Sequence, residues 1–418
     1  MRLKMINISS LLWLFVFFQF SVTLVFLASR SDEFFSFATY LQAVKYSTLL
    51  LLVLSAYILI KKRQDVFAFE PQKYIFVLQI VILYFTMLIH TDIKAINSPT
   101  IILMLVSTLI IFSNQISSRL INIIAITLSF INFSLVMLQI LSVIPVAQDN
   151  VREGLRIVSD RPTGLLFNAF AMGYASVITF SICLYFLKTN KLVILNSVGV
   201  LFSAVAVFLS ITRTPLLLMI VSAILILLQK SKLVLKNWKF LTFAIPGGVL
   251  LFPLASVTLG NSIRNQDMAT LNGRTFLWDC VVSKWEQFIP FGVGVQGAFP
   301  QGFCSDDEWF SKLRHPENMF LLNYVESGLL GFIGLVLLFI VTFWYSGKAL
   351  AKGSALPMAV TATFLMSSIF YVPLFHYLPF LENRTADRGV FNFYLFTVLW
   401  MAIMKSTRSE KAQQLAKK

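Results

Sequence analysis

Long, unbroken apolar runs recur along this chain, and they decide what it can fold into. Twelve can be read, at approximately residues 10–28, 42–60, 73–89, 99–113, 120–144, 165–187, 192–210, 215–229, 240–258, 318–346, 355–374 and 389–404. An α-helix rises about 1.5 Å per residue, so roughly twenty apolar residues cover the ~30 Å hydrocarbon core of a bilayer. Backbone N–H and C=O groups find no water there, which leaves helices or closed barrels as the spanning forms. Barrel strands alternate apolar and polar residues, whereas these runs are continuous. The expected fold is therefore an all-α integral membrane protein of about twelve transmembrane helices. Composition agrees, with 57% of the 418 residues hydrophobic and 13% charged, well outside the range of a soluble domain. The first run follows Arg2 and Lys4 and ends near Leu27-Ala28-Ser29, in the manner of a signal peptide, but it is too long for one and more spans follow.

The charges orient these spans. With the N-terminus inside, the cytoplasmic side receives about 16 of the 20 lysines, including Lys61, Lys62, Lys188, Lys191, the Lys230–Lys239 stretch, Lys348, Lys352 and the tail from Lys405. Its net charge is near +17 and that of the other side near −2, which together give the formal +15. This is the positive-inside pattern, with both termini cytoplasmic and the chain a multi-pass protein of the inner, or cytoplasmic, membrane. Lysines scattered over short loops serve topology and contact with anionic membrane lipid. No groove-reading motif or aromatic-interleaved basic patch accompanies them, so nucleic acid is not a partner.

The organisation that follows is residues 1–258 for spans one to nine, 259–317 for an extracytoplasmic loop or cap, 318–404 for spans ten to twelve, and 405–418 for a basic cytoplasmic tail. The loop between the ninth and tenth spans holds Trp278, Trp285 and Trp309 and is too long for a plain connector, so it is expected to fold into a small cap with helical pieces. Cys183 falls within the sixth span, while Cys280 and Cys304 both lie in the loop, where an oxidising compartment would let them pair. No CxxC pair or His/Cys cluster is present, so neither a metal nor another cofactor is expected.

Arginine is distributed the opposite way, with about 10 of 14 on the outer side. Arg161 stands in Arg161-Pro162-Thr163-Gly164 at the mouth of the sixth span. Arg213 stands in Ser210-Ile211-Thr212-Arg213-Thr214-Pro215, a very short connection, and Arg274 in Asn272-Gly273-Arg274-Thr275 of the long loop. A charge held within a membrane costs about 2.5–3.5 kcal/mol on insertion scales, so Arg213 needs a reason and a counter-charge. The plainer account is an arginine that snorkels to headgroups or pairs with Asp160, Glu382 or Asp387. For the three together, a shared anionic ligand fits better, because the guanidinium fork binds phosphate oxygens bidentately. The tenth span opens with His315-Pro316-Glu317-Asn318. Pro316 suits a first helical turn, with Glu317 and Asn318 in that turn and the backbone N–H groups forming an anion site. The alternative is that Glu317 only complements the helix dipole while His315 caps the end. Glu326, deeper in the same span, requires burial in protein or water.

The order Arg161-x-x-Gly164, Thr212-Arg213-Thr214, Gly273-Arg274, then His315-x-x-Asn318 followed by Gly328-Leu329-Leu330-Gly331, resembles the O-antigen ligase and O-antigen polymerase (Wzy-like) superfamily, and the resemblance covers nearly the whole chain. It implies a GT-C-like membrane fold and a metal-independent, inverting glycosyltransferase of surface polysaccharide synthesis, acting on the outer face. The implied donor is an oligosaccharide on undecaprenyl pyrophosphate. The implied acceptor is another lipid-linked glycan in polymerases, where a chain-length regulator is a further partner, or lipid A-core in ligases of lipopolysaccharide. Arg161, Arg213, Arg274 and Asn318 would bind the pyrophosphate, with Arg213 and Arg274 also offsetting the charge that grows on it as it leaves. A general base would assist the acceptor hydroxyl. Ligases carry His immediately before the Asn, and here Glu317 holds that place with His315 two residues earlier. Glu317, His315 or neither serves as base, and the departure favours polymerase over ligase. A lipid-linked oligosaccharide flippase or other transporter also has many helices, but such proteins show related halves and mid-span charges, which this sequence does not.

Overall fold

The computed structural model describes residues 78, 81, 82, 89, 118–143, 162–164, 169–264, 274–293, 318–370, 400 and 403, with backbone only at 252–264, 274–276 and 370. Among the described residues all regular structure is helical. Helix α1 is Ser118–Ile140, α2 Ala169–Lys188, α3 Val193–Leu209, α4 Arg213–Leu228, α5 Lys232–Lys236, α6 Trp238–Arg264, α7 Arg274–Ser283, α8 Met319–Leu350 and α9 Leu356–Phe370, with a 3-10 turn at Trp285–Phe288. Seven of these, α1 to α4, α6, α8 and α9, fall on the expected spans from 120–144 to 355–374. The expected spans at 10–28, 42–60, 73–89, 99–113 and 389–404, the loop from 294 to 317 and the tail lie outside the described residues, apart from isolated helical positions. Among the described residues three helices, α1, α2 and α8, are long and apolar enough to cross a membrane. The helix at the ninth span continues through Arg264, six residues beyond the expected end at 258.

Helix α2 lies at the centre, packed against α1, α3, α4 and α9. Its sequence explains why. Ala171, Gly173, Ala175 and Ser176 keep its first turns thin, and small residues let membrane helices approach closely enough to gain dispersion contacts where the hydrophobic effect supplies nothing. A Cβ at Gly173 would stand 2.7 Å from Thr212 Oγ1 and 2.8 Å from Pro215 Cγ, so the turn into α4 rests directly on the α2 backbone. Hydroxyls and amides supply the polar links between helices. Ser203 of α3 meets Ser129 of α1 at 2.9 Å and Thr179 of α2 at 2.8 Å, while Asn132 Nδ2 donates to Ser176 Oγ at 3.1 Å. At the α8–α9 seam Trp400 stacks on Phe364, centroids 4.6 Å apart, and donates to Thr361 Oγ1.

These contacts also sort the helix ends. The contact of Gly173 puts the starts of α2 and α4 together. Gln229 Oε1 accepts from Ala355 N at 3.0 Å, so α4 ends where α9 begins, and the short 351–355 turn places the end of α8 there too. Helices α4 and α8 therefore both start at one end of the bundle, the Arg213 end. The opposite end gathers Lys188, Lys191, Lys230, Lys232, Lys236, Lys239, Lys348 and Lys352. There Lys348 Nζ lies 5.1 Å from the Trp344 ring centroid and Lys239 Nζ 5.9 Å from that of Trp238, an aromatic and cationic rim of the kind that sits at a membrane surface.

Candidate functional site at the Arg213 end

Three chain segments meet the bundle at the Arg213 end. The first is the turn after Arg161. Gln139, buried near the end of α1, accepts through Oε1 from the backbone N–H groups of Thr163 and Gly164, both at 2.9 Å, and donates from Nε2 to Thr163 Oγ1 at 3.1 Å. Gly164 sits at φ +53, and Asn132 Oδ1 occupies the space a Cβ would need. One amide thus fixes the backbone immediately following Arg161. Arg161 itself lies outside the described residues. Replacing Gln139 by Leu leaves two buried N–H groups unsatisfied, each costing about 1–3 kcal/mol. Gln139→Leu is therefore expected to lower the melting temperature in detergent and to weaken activity. Gln139→Glu keeps both acceptor contacts but buries a carboxyl and loses the donor to Thr163 Oγ1, so it should melt between the Leu variant and wild type. Equal melting of the Leu variant and wild type would refute the anchoring role.

The second segment is the connection into α4. Ser210 Oγ lies 2.5 Å from Thr212 Oγ1, and Tyr174 OH lies 3.0 Å from Thr214 Oγ1. Between them Ile211 adopts φ 52, a left-handed conformation that a β-branched residue takes only when its surroundings impose it. Thr212 is the extended N-cap residue and makes no side-chain cap. The first N–H groups of α4 are left open by the cap, and Pro215 in the first turn has none to offer. Arg213 is the first helical residue and is exposed, and among the described residues no acid pairs with it. A free guanidinium at an uncapped helix start suits an anion. The expected counter-charge is thus absent among the described residues. Met172 touches the Gly164 turn and Gly173 touches the Arg213 turn, so adjacent residues of α2 bring the two turns side by side.

The third segment is the start of α8. Asn318 stands ahead of the first turn, not within it as the sequence leads one to expect. Asn318 is the N-cap, extended at φ −142 and ψ 121, with Oδ1 accepting from Phe320 N at 3.0 Å and Leu321 N at 3.1 Å. An Asn side chain can satisfy orphan N–H groups at that position, which Pro316 cannot do, and the helix accordingly begins at Met319. With Oδ1 used as the cap, only the Nδ2 donor of Asn318 remains for a ligand. His315 and Glu317 lie outside the described residues.

Part of the expected cap rests on this same helix. Arg274 is the first residue of α7, and its side chain is not described. Leu277 and Val281 of α7 pack with Phe288, Tyr324 and Val325, and Trp278 joins this cluster to the bundle core. Tyr324 OH donates to Trp285 O at 2.7 Å, and Val293 N donates to Val325 O at 2.8 Å. Helix α8 breaks at Gly328, φ 64 and ψ −158, where the Pro290 carbonyl presses against its backbone. Cys280 is disulfide-bonded and Cys183 is free and buried; Cys304 lies outside the described residues.

Sequence reasoning singled out the arginines but missed what positions them. The available signal was the polar residues inside the span at 120–144. Asn122, Ser129, Asn132 and Gln139 are spaced seven, three and seven apart, one stripe of a helix, and all four are buried.

No curated protein matches the chain. Residues 198–336, a stretch of 139 of the 418, match the family model described as O-antigen ligase. That stretch runs from α3 into α8 and contains Arg213, Arg274, Asn318 and Gly328. The family comprises glycosyltransferase-like enzymes of surface polysaccharide synthesis, and the match, over a third of the chain, agrees with the resemblance to the O-antigen ligase and polymerase superfamily.

Proposed function

We propose that the protein is a metal-independent, inverting membrane glycosyltransferase that transfers glycan from an undecaprenyl-pyrophosphate donor to the hydroxyl of an acceptor glycan. The observation that carries this reading is Arg213, exposed at the uncapped start of α4 and inside the matched domain. A lipid pyrophosphate presents a dense negative charge at the membrane surface, and a guanidinium fork beside open helix N–H groups is built to meet it. The eight described lysines at the opposite end support the Arg213 end as the outer face.

In this reading Arg161, Arg213 and Arg274, with the Asn318 amide, hold the pyrophosphate. The acceptor oxygen attacks the anomeric carbon from the opposite face, its proton passes to a base, and the bond to the pyrophosphate oxygen breaks with its electron pair staying on the leaving group. Arginine charge offsets that growing negative charge. Glu317 and His315 are the candidates for the base. The Glu317 departure favours polymerase, while the description of the matched family favours ligase.

The test is transfer by the purified full chain in nanodiscs supplied with undecaprenyl-pyrophosphate-linked repeat units, alone and with lipid A-core. Elongated lipid-linked glycan is the expected product. Glycan appearing only on lipid A-core would make the enzyme a ligase, and absence of both products under conditions where the protein is folded sinks the proposal. A chelator is expected to leave the rate unchanged.

A further inference from the structure

Glu326 and Ser327 are 2% and 0% exposed, and Glu326 Oε2 and Ser327 Oγ have no hydrogen-bond partner among the described residues. Buried polar atoms are nearly always paired, because leaving one unpaired costs the desolvation of the group and a carboxyl costs more than most. The only basic residue of α8 is Lys348, at the far end of the helix. The pair therefore has no described counter-charge and contributes nothing evident to stability.

Its position is informative. Leu329, Leu330, Ile333, Leu337, Ile340 and Trp344 form the exposed apolar side of α8, and no residue from Leu321 to Gly328 is exposed. The lipid-facing part thus begins directly after the break. From Leu329 to Leu350 the helix is about 33 Å long at 1.5 Å per residue, the thickness of a hydrocarbon core. Glu326 and Ser327 accordingly sit at the membrane surface, at the same end of the bundle as Arg213. Met319 and Leu322, on the face of α8 that Glu326 continues, belong to the bundle core, while Tyr324 and Val325 face the cap. Gly292, at φ +71, lies against the Glu326 carbonyl, and the hydrogen bond from Val293 N to Val325 O joins that strap to α8.

Resting on the transferase reading, we infer that Glu326 and Ser327 form a subsite for a sugar hydroxyl of the lipid-linked glycan, beneath the 289–293 strap. A carboxylate oxygen and a hydroxyl side by side accept and donate to the paired hydroxyls of a sugar ring. The pair stands at the membrane surface, where the sugars nearest a lipid pyrophosphate would lie.

The experiment compares wild type, Glu326→Met, Glu326→Gln and Ser327→Ala for thermal stability in detergent. It is run with no addition, with bare undecaprenyl pyrophosphate, and with an undecaprenyl-pyrophosphate-linked oligosaccharide. Without ligand, Glu326→Met is expected to melt at or above the wild-type temperature, because an unpaired buried carboxyl is removed. Bare lipid pyrophosphate should stabilise all four alike. The glycan-linked lipid should bind both Glu326 variants roughly ten- to a hundredfold more weakly than wild type, the effect of losing one charge-assisted hydrogen bond. A fall in the unliganded melting temperature of Glu326→Met would overturn the inference in favour of a structural role. So would undiminished glycan binding by Glu326→Gln and Glu326→Met. If neither lipid stabilises wild type, the transferase reading fails and the inference falls with it.

Discussion

Gly328→Ala is expected to yield a chain that is poorly folded or melts far below wild type. At φ 64 and ψ −158 the residue occupies a backbone region that only glycine enters without strain, and forcing another residue there costs about 1–3 kcal/mol. The added Cβ would also run into the Pro290 carbonyl, which is backbone and has no rotamer to yield, and such overpacking adds about 1–3 kcal/mol. Together the two approach the margin on which a domain is stable, about 5–15 kcal/mol. Gly248 in α6 supplies the control, since nothing stands within 4 Å of the place its Cβ would take. Gly248→Ala should be neutral or slightly stabilising, as helical Gly→Ala changes are. Both variants would be compared by melting temperature and by monodispersity in detergent. Equal behaviour of the two would show that α8 is continuous through Gly328 and that the cap does not bear on it.

How far such features could be read from sequence depends on their length scale. The helices of the spans at 120–144, 165–187, 192–210, 215–229, 240–258, 318–346 and 355–374 were legible because the bilayer demands about twenty apolar residues, a signal too long to arise by chance. The Gly328 break was not, because its cause is the Pro290 carbonyl, thirty-eight residues away in the chain. Glycine within an apolar helix is ordinary in membrane proteins, so Gly328 gave no warning by itself. The start of α8 was misplaced by a small margin. Pro316 and Asn318 both mark helix starts, and the choice between them turned on which carries a side-chain acceptor. At the site, Arg213 could be chosen because a charge in so short a connection has few explanations. Gln139 could not, because its value lies in two N–H groups on another segment, and a pattern of apolar runs treats a single amide as noise.

Arg213→Ala should separate a binding function from a structural one more sharply than any other single change. The side chain is exposed and without an acidic partner among the described residues, so its removal is expected to alter stability by no more than about 0.5 kcal/mol. If it offsets charge on the departing pyrophosphate, transfer should fall about 10²- to 10³-fold, the usual consequence of deleting one donor aimed at developing charge. The fall should appear mainly in kcat, because the contact strengthens as the glycosidic bond breaks. Arg213→Lys keeps the charge and loses the planar fork, so it should recover part of the rate without reaching wild type. Initial rates with lipid-linked repeat units, set beside melting temperatures of the same preparations, distinguish the cases. An alanine variant that transfers within twofold of wild type would mean the guanidinium only snorkels to headgroups, the plainer account of an arginine at a helix mouth. A lysine variant equal to wild type would mean that α4 needs a charge there and that the phosphate oxygens are not gripped in pairs. Loss of rate in both at unchanged stability is the one pattern that a bidentate grip on the leaving pyrophosphate predicts.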